Sequence, residues 1–205
     1  LSRMLAQLPG VRVVSETEAI NGLLLSQWMH QLPEEQVLPH LKAIIESYRQ
    51  PFGDDQFLIF KTTSWNIFHI ELFQKLYPQV PWIYIDRDTE KAVESSIRDG
   101  GGFVQWWDYP TDLPRKYLLY PGQSPKNKKD YVWQVMENQR AEASKAKNGN
   151  FMFLRYPDFL ESFTTRILPH FELEFTQEEI EKAKAMIHFE SKSYEMIGFN
   201  KINKK

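Results

Sequence analysis

Residues 81–96 read PWIYIDRDTEKAVESS. Trp82 to Ile85 form an apolar, aromatic and β-branched run too short for a helix, and Asp86, Arg87 and Asp88 end it abruptly. From Thr89 the apolar spacing becomes helical, and the glycines at 100, 101 and 102 stop it. The stretch is therefore a buried strand, a charged turn and a helix. An arginine stands where the strand ends, and Ser95 follows it in the helix. Ser95 lies roughly 9 Å along the helix from Thr89, at about 1.5 Å per residue. A guanidinium and a hydroxyl at that separation can reach one phosphate lying between them: the arginine supplies a planar, permanently charged fork and the serine a small donor. The simpler reading pairs Arg87 with Asp86 or Asp88 and leaves Ser95 exposed.

The same alternation runs along the chain. Val11–Val14, Phe57–Phe60 and Phe151–Leu154 are further strand-like runs. Helices are predicted over Leu1–Leu8, Glu18–His30, Glu34–Tyr48, Ile67–Leu76, Thr89–Arg98, Lys129–Ala146, Phe159–Leu168 and Gln177–His188. Continuous apolar strands alternating with helices predict one α/β domain spanning residues 1–205, with a central parallel sheet and helices on both faces. Right-handed crossovers bring the C-terminal ends of all strands to one edge, where ligands of such sheets bind. The residues delivered there are Ser15-Glu16, Lys61 to Ser64, Asp86 to Asp88, and Arg155-Tyr156. A carboxylate, a lysine and an arginine thus converge from three strands, which suits a phosphate-bearing ligand and a proton transfer.

Composition narrows the classes of function. Of the 205 residues, 42% are hydrophobic and 25% charged, and the 14 Phe, 9 Tyr and 6 Trp exclude a disordered chain. A net charge of −2 gives no general attraction to nucleic acid or to an anionic membrane. No apolar run approaches the roughly 20 residues of a membrane helix. Cysteine is absent, as is any Asn-x-Ser/Thr sequon, and both lean towards a reducing, cytoplasmic setting.

The ordered set of motifs resembles the sulfotransferases that use 3′-phosphoadenylyl sulfate. In that family an Arg at a strand end and a Ser eight residues on bind the donor's 3′-phosphate; the match falls on Arg87 and Ser95. A Lys closes the family's preceding strand, as Lys61 does in FLIFKTTSW. LSRMLAQLPGVRVVSETEAIN is similar to the stretch after the family's 5′-phosphosulfate loop, above all in the tyrosylprotein and carbohydrate branches, and Glu16 falls at the catalytic-base position of the former. FMFLRYPDFLESFTTRILPHFEL resembles the family's late RYEDL-type segment. The resemblance implies a three-layer fold like that of the P-loop NTPases. It also implies transfer of a sulfuryl group from 3′-phosphoadenylyl sulfate to a hydroxyl or phenol on a small molecule, sugar or peptide. Glu16 is then the base, Lys61 the stabiliser of the leaving phosphate oxygen, and Arg87 with Ser95 the 3′-phosphate clamp, with no metal, nucleic acid or membrane involved. The family's first strand and its Gly/Ser/Thr-rich phosphosulfate loop belong just before Leu1, and the chain as given lacks them. Two alternatives share the fold: a P-loop nucleotide kinase, whose G-x-x-x-x-G-K-[ST] motif is not visible, and a non-catalytic binding module.

Other features carry two readings each. GGGFVQWWDYP, residues 100–110, is either an acceptor-binding lid or a loop whose aromatics pack on the core. PKNKKDY is a solvated helix start or a patch for an acidic substrate. Arg155 pairs with an acid such as Asp158 or serves the site. Glu16 is a base or a helix N-cap. His69 is a second candidate base on its helix. ESKSYEMIGFNKINKK holds suitable Lys and Ser residues for a cofactor loop but no sharp motif.

Overall fold

The computed structural model describes residues 1–50, 53–146 and 150–186. The C-terminal stretch singled out above, and the end of the helix predicted through His188, lie outside the described residues. In chain order the elements are α1 (Ser2–Leu5), β1 (Val11–Ser15), α2 (Glu18–His30), α3 (Glu34–Tyr48) and β2 (Phe57–Lys61). A 3₁₀ segment, Ser64–His69, leads into α4 (Ile70–Leu76), β3 (Trp82–Asp86) and α5 (Thr89–Asp99). A second 3₁₀ segment, Gly102–Asp108, precedes α6 (Leu113–Tyr117), α7 (Lys128–Lys145) and β4 (Phe151–Arg155). A π-helical turn at Phe163–Ile167, α8 (Leu168–His170) and α9 (Gln177–Ala185) follow.

Local chemistry sets most of these boundaries. The Thr17 hydroxyl accepts from the Ile20 amide at 3.3 Å and opens α2. Asp88 accepts from the Lys91 amide at 3.0 Å and opens α5, and Asn127 accepts from the Asp130 amide at 2.9 Å and opens α7. Gly100 closes α5 at φ 65°, a left-handed conformation that a glycine adopts without a Cβ clash. Two predicted helices change character. Residues 64–69 wind as 3₁₀ before α4 begins. Phe159–Leu168 is not one helix: Pro169 has no N–H for the carbonyl one turn back, and the chain passes through a π turn into the short α8.

Each strand runs one residue further than the apolar pattern indicated, so Ser15, Lys61, Asp86 and Arg155 join the ladders. β1 pairs parallel with β2, from Val11 beside Phe57 to Ser15 beside Lys61. β3 pairs parallel with β4, from Trp82 beside Phe151 to Asp86 beside Arg155. The sequence predicted one central sheet. Instead the strands pair two by two, and among the described residues no ladder joins β2 to β3. An apolar run reports that a strand is buried, whereas its choice of neighbour is a long-range property that no local pattern carries.

Alternate strand residues build a shared core. Val11 and Val13 of β1, Phe57 and Ile59 of β2, Ile83 of β3, and Met152 and Leu154 of β4 pack in one cluster. Met4 and Leu5 of α1, Phe163, Ile167 and Leu168 around α8, and Ile180 of α9 complete it. A second cluster joins α2 through α5 and α7, with Phe60 of β2 packed against it. No helix among the described residues is long and apolar enough to cross a membrane. Leu154, at 1% exposure, sits in the cluster that both strand pairs share. Leu154→Ala is expected to remove about 2–5 kcal/mol of stability. Urea unfolding should show this as a lower midpoint with an unchanged slope.

Candidate functional site

The ends of β1 and β2 hold the first part of the site. Ser15 lies beside Lys61 in the ladder, and the Glu16 amide donates to the Lys61 carbonyl at 2.7 Å. Glu16 then turns the chain at φ 48°, the left-handed region that a non-glycine residue seldom occupies. That turn brings its carboxylate directly onto the Lys61 ammonium. Both side chains are about half exposed, at 48% and 46%. The cap of α2 is Thr17, so Glu16 has no capping role. Close by in sequence, Asn21 of α2 and Thr63 and Asn66 after β2 hydrogen-bond to one another at 3.0–3.2 Å. This web fixes the two segments that carry Glu16 and Lys61.

The ends of β3 and β4 hold the second part. Arg87 pairs with neither neighbouring aspartate. Asp86 accepts from Arg140 of α7 at 2.9 Å, and Asp88 caps α5. The Arg87 guanidinium lies over the Tyr156 ring, 5.0 Å from its centre, and Tyr156 is 46% exposed. Arg155 makes no ion pair with Asp158 among the described residues. Ser95 and Arg87 are not in contact. The Ser95 hydroxyl donates to Asp99 at 3.3 Å and accepts from Arg98 at 3.3 Å. A second guanidinium therefore stands beside Ser95.

α7 brings these parts to one side of the molecule. Gln139 donates to the Ser64 hydroxyl, three residues beyond Lys61, at 3.4 Å. Arg140, the next residue, donates to the Arg87 carbonyl at 3.0 Å. Adjacent residues, with Cα atoms about 3.8 Å apart, thus touch the exits of β2 and β3. The strand ends so joined offer a guanidinium, an ammonium, a carboxylate and an exposed aromatic face, the groups that bind a phosphorylated nucleoside and accept a proton. Sequence reasoning missed three contributors. Tyr156 was visible as a strand-end residue without its stacking role. Arg98 is recognisable by its i, i+3 spacing from Ser95. Arg140 carries no local signal, since it is one charge among many on a polar helix.

The remaining candidates have other surroundings. His69 bonds through Nε2 to the Tyr117 hydroxyl and lies edge-on to Trp65, 6.5 Å between ring centres. Burial lowers its pKa to about 4 and pushes the Tyr117 phenol up. Trp106 and Trp107 pack against the second core cluster, whereas Tyr109 is 54% exposed. Lys128, in the basic stretch, pairs with Asp108. No group of three or more His, Asp or Glu among the described residues is placed to hold a metal ion.

No protein-family model matches the chain, and none of the curated proteins matches it.

The His69 environment makes stability depend on pH. Its folded pKa, about 4, lies below the unfolded value of about 6.5, so the unfolded chain binds the extra proton between those values. His69 thus contributes stability that is present above pH about 6.5 and lost as the pH falls towards 4, on the order of 3 kcal/mol across the window. Urea unfolding at intervals from pH 7 to 4 should show this slope in the native chain, and His69→Gln should flatten it.

Proposed function

We propose that this chain is a sulfotransferase that uses 3′-phosphoadenylyl sulfate and acts on a hydroxyl or phenol of a small molecule, sugar or peptide. The observation that carries the reading is the Glu16–Lys61 pair at the ends of two registered parallel strands. It lies on the same side, through adjacent residues of α7, as the unpaired-to-aspartate Arg87. In this reading the two strand pairs belong to one sheet. The core cluster that one face of both pairs shares supports it.

The chemistry follows from the side chains. Sulfuryl transfer forms a bond from the acceptor oxygen to sulfur while the bond from sulfur to the phosphate oxygen breaks. The acceptor loses a proton, and the phosphate gains charge. Glu16 takes the proton, and Lys61 stabilises the charge. In the free protein each neutralises the other. A donor phosphate beside Lys61 draws the ammonium away and leaves the carboxylate free to act as a base. Both groups are half exposed, so the pair contributes only about 0–1 kcal/mol, and its exchange is cheap. Arg87, held over Tyr156, offers its fork to the 3′-phosphate, and Ser95 on α5 exchanges its bond to Asp99 for one to the same anion when the donor binds.

Two experiments test the reading. Calorimetry should show adenosine 3′,5′-bisphosphate binding more tightly than AMP, and Arg87→Ala should remove about 1.5–3 kcal/mol of that difference. Equal affinities in the native protein would discard the assignment. Single-turnover kinetics should then separate the paired residues. Glu16→Gln is expected to lower kcat by roughly 10²–10⁴ with donor affinity nearly intact. Lys61→Ala should weaken donor binding and slow transfer together. Near-native turnover by Glu16→Gln would remove Glu16 from the role of base.

A further inference from the structure

We propose that Arg140 of α7 is a positioning residue that sets the selectivity of the site for a ribose 3′-phosphate by holding the turn from which Arg87 rises. The proposal rests on the sulfotransferase reading, since it names what makes Arg87 effective in that role.

One guanidinium grips the whole turn. Its Nε donates to the Asp86 carboxylate at 2.9 Å and one terminal nitrogen to the Arg87 carbonyl at 3.0 Å. The other terminal nitrogen donates to Glu137 at 2.7 Å. The same Glu137 oxygen accepts from the Thr89 hydroxyl at 2.7 Å, and Thr89 is buried. Residues 86, 87 and 89 are therefore all tied to α7, directly or through Glu137. The Arg87 side chain is left out of this web and lies over Tyr156 instead.

The division of labour follows from geometry. A planar fork can satisfy a carboxylate and a carbonyl at once, in fixed directions, whereas an ammonium is a point donor on a flexible stem. Asp86 is only 16% exposed and Arg140 31%, so their bonds are shielded from competing water. The Asp86 carboxylate and the Arg87 carbonyl share that fork, so the turn is held in one orientation and the Arg87 side chain leaves it towards Tyr156. Without the fork the turn loses its direct ties to α7, and Arg87 loses the fixed base from which it reaches the ligand. Arg140 thus keeps Arg87 in place by anchoring the residue it rises from and the one before it.

The test uses the full-length protein and two probes, adenosine 3′,5′-bisphosphate and AMP, whose affinity ratio isolates the 3′-phosphate. In Arg140→Lys the ratio should fall roughly tenfold, the equivalent of one charge-assisted hydrogen bond, with AMP affinity unchanged. In the Arg87→Ala background the same substitution should leave the ratio where Arg87→Ala alone puts it, because Arg140 acts through Arg87. A native preference for the 3′-phosphate that survives Arg140→Lys overturns the proposal and leaves the sulfotransferase reading standing. So does an equal loss for both probes, which marks a merely structural role. Absence of the preference in the native protein overturns the reading itself. If Arg140→Lys does not fold, Thr89→Val loosens one end of the same web and should lower the ratio about threefold, less than the loss of a full hydrogen bond; an unchanged ratio counts against the proposal.

Discussion

The bridge from Arg140 to Asp86 is the interaction on which the arrangement of the site depends. It crosses from α7 to the last residue of β3, the point where the strand gives way to the turn that carries Arg87. Burial works against the charge of Arg140, but hydrogen bonding to Asp86 and the nearby carboxylates outweigh it and raise its pKa further. Tyr84, one turn of the pleat below, has its phenol pushed up to about 12 by burial and by Asp86, and so remains an uncharged neighbour. A partly buried ion pair of this kind is a poor source of net stability but a good means of directing one segment against another.

The two strand ends use charge differently. At the first, Glu16 and Lys61 neutralise each other in half-exposed surroundings, where a bound anion can exchange with the carboxylate at little cost. At the second, Asp86 is already satisfied by α7 and Asp88 by the helix it caps, so Arg87 retains its charge over an aromatic face. Cation–π contact holds a guanidinium without neutralising it, and its edge donors remain open to a ligand. The same local composition, carboxylates beside cations, yields a closed pair in one place and an available cation in the other.

Much of this was legible along the chain. The strands were evident because four short runs combine apolar, aromatic and β-branched residues, and each ends in polar ones. The limits of α2 and α3 fell where Thr17 and Pro33 put them, through capping and the missing proline N–H. Glu16, Lys61 and Arg87 were recognisable as strand-end residues because parallel strands with helical crossovers must point the same way. The segment after Phe159 misled, since its helical spacing of apolar residues continues through a turn that Pro169 widens.

The sequence by itself determined the alternation of strand and helix and the identity of the charges at the strand ends. Both follow from neighbours within a few residues, where spacing and side-chain chemistry act directly. Only the tertiary structure decided that the strands pair two by two, that Glu16 meets Lys61 across 45 positions, and that Arg140 rather than Arg87 takes Asp86. These depend on contacts between segments far apart in the chain. A carboxylate between two arginines has no local preference between them, and the packing of α7 against α5, which carries Arg140 to the end of β3, settles the choice.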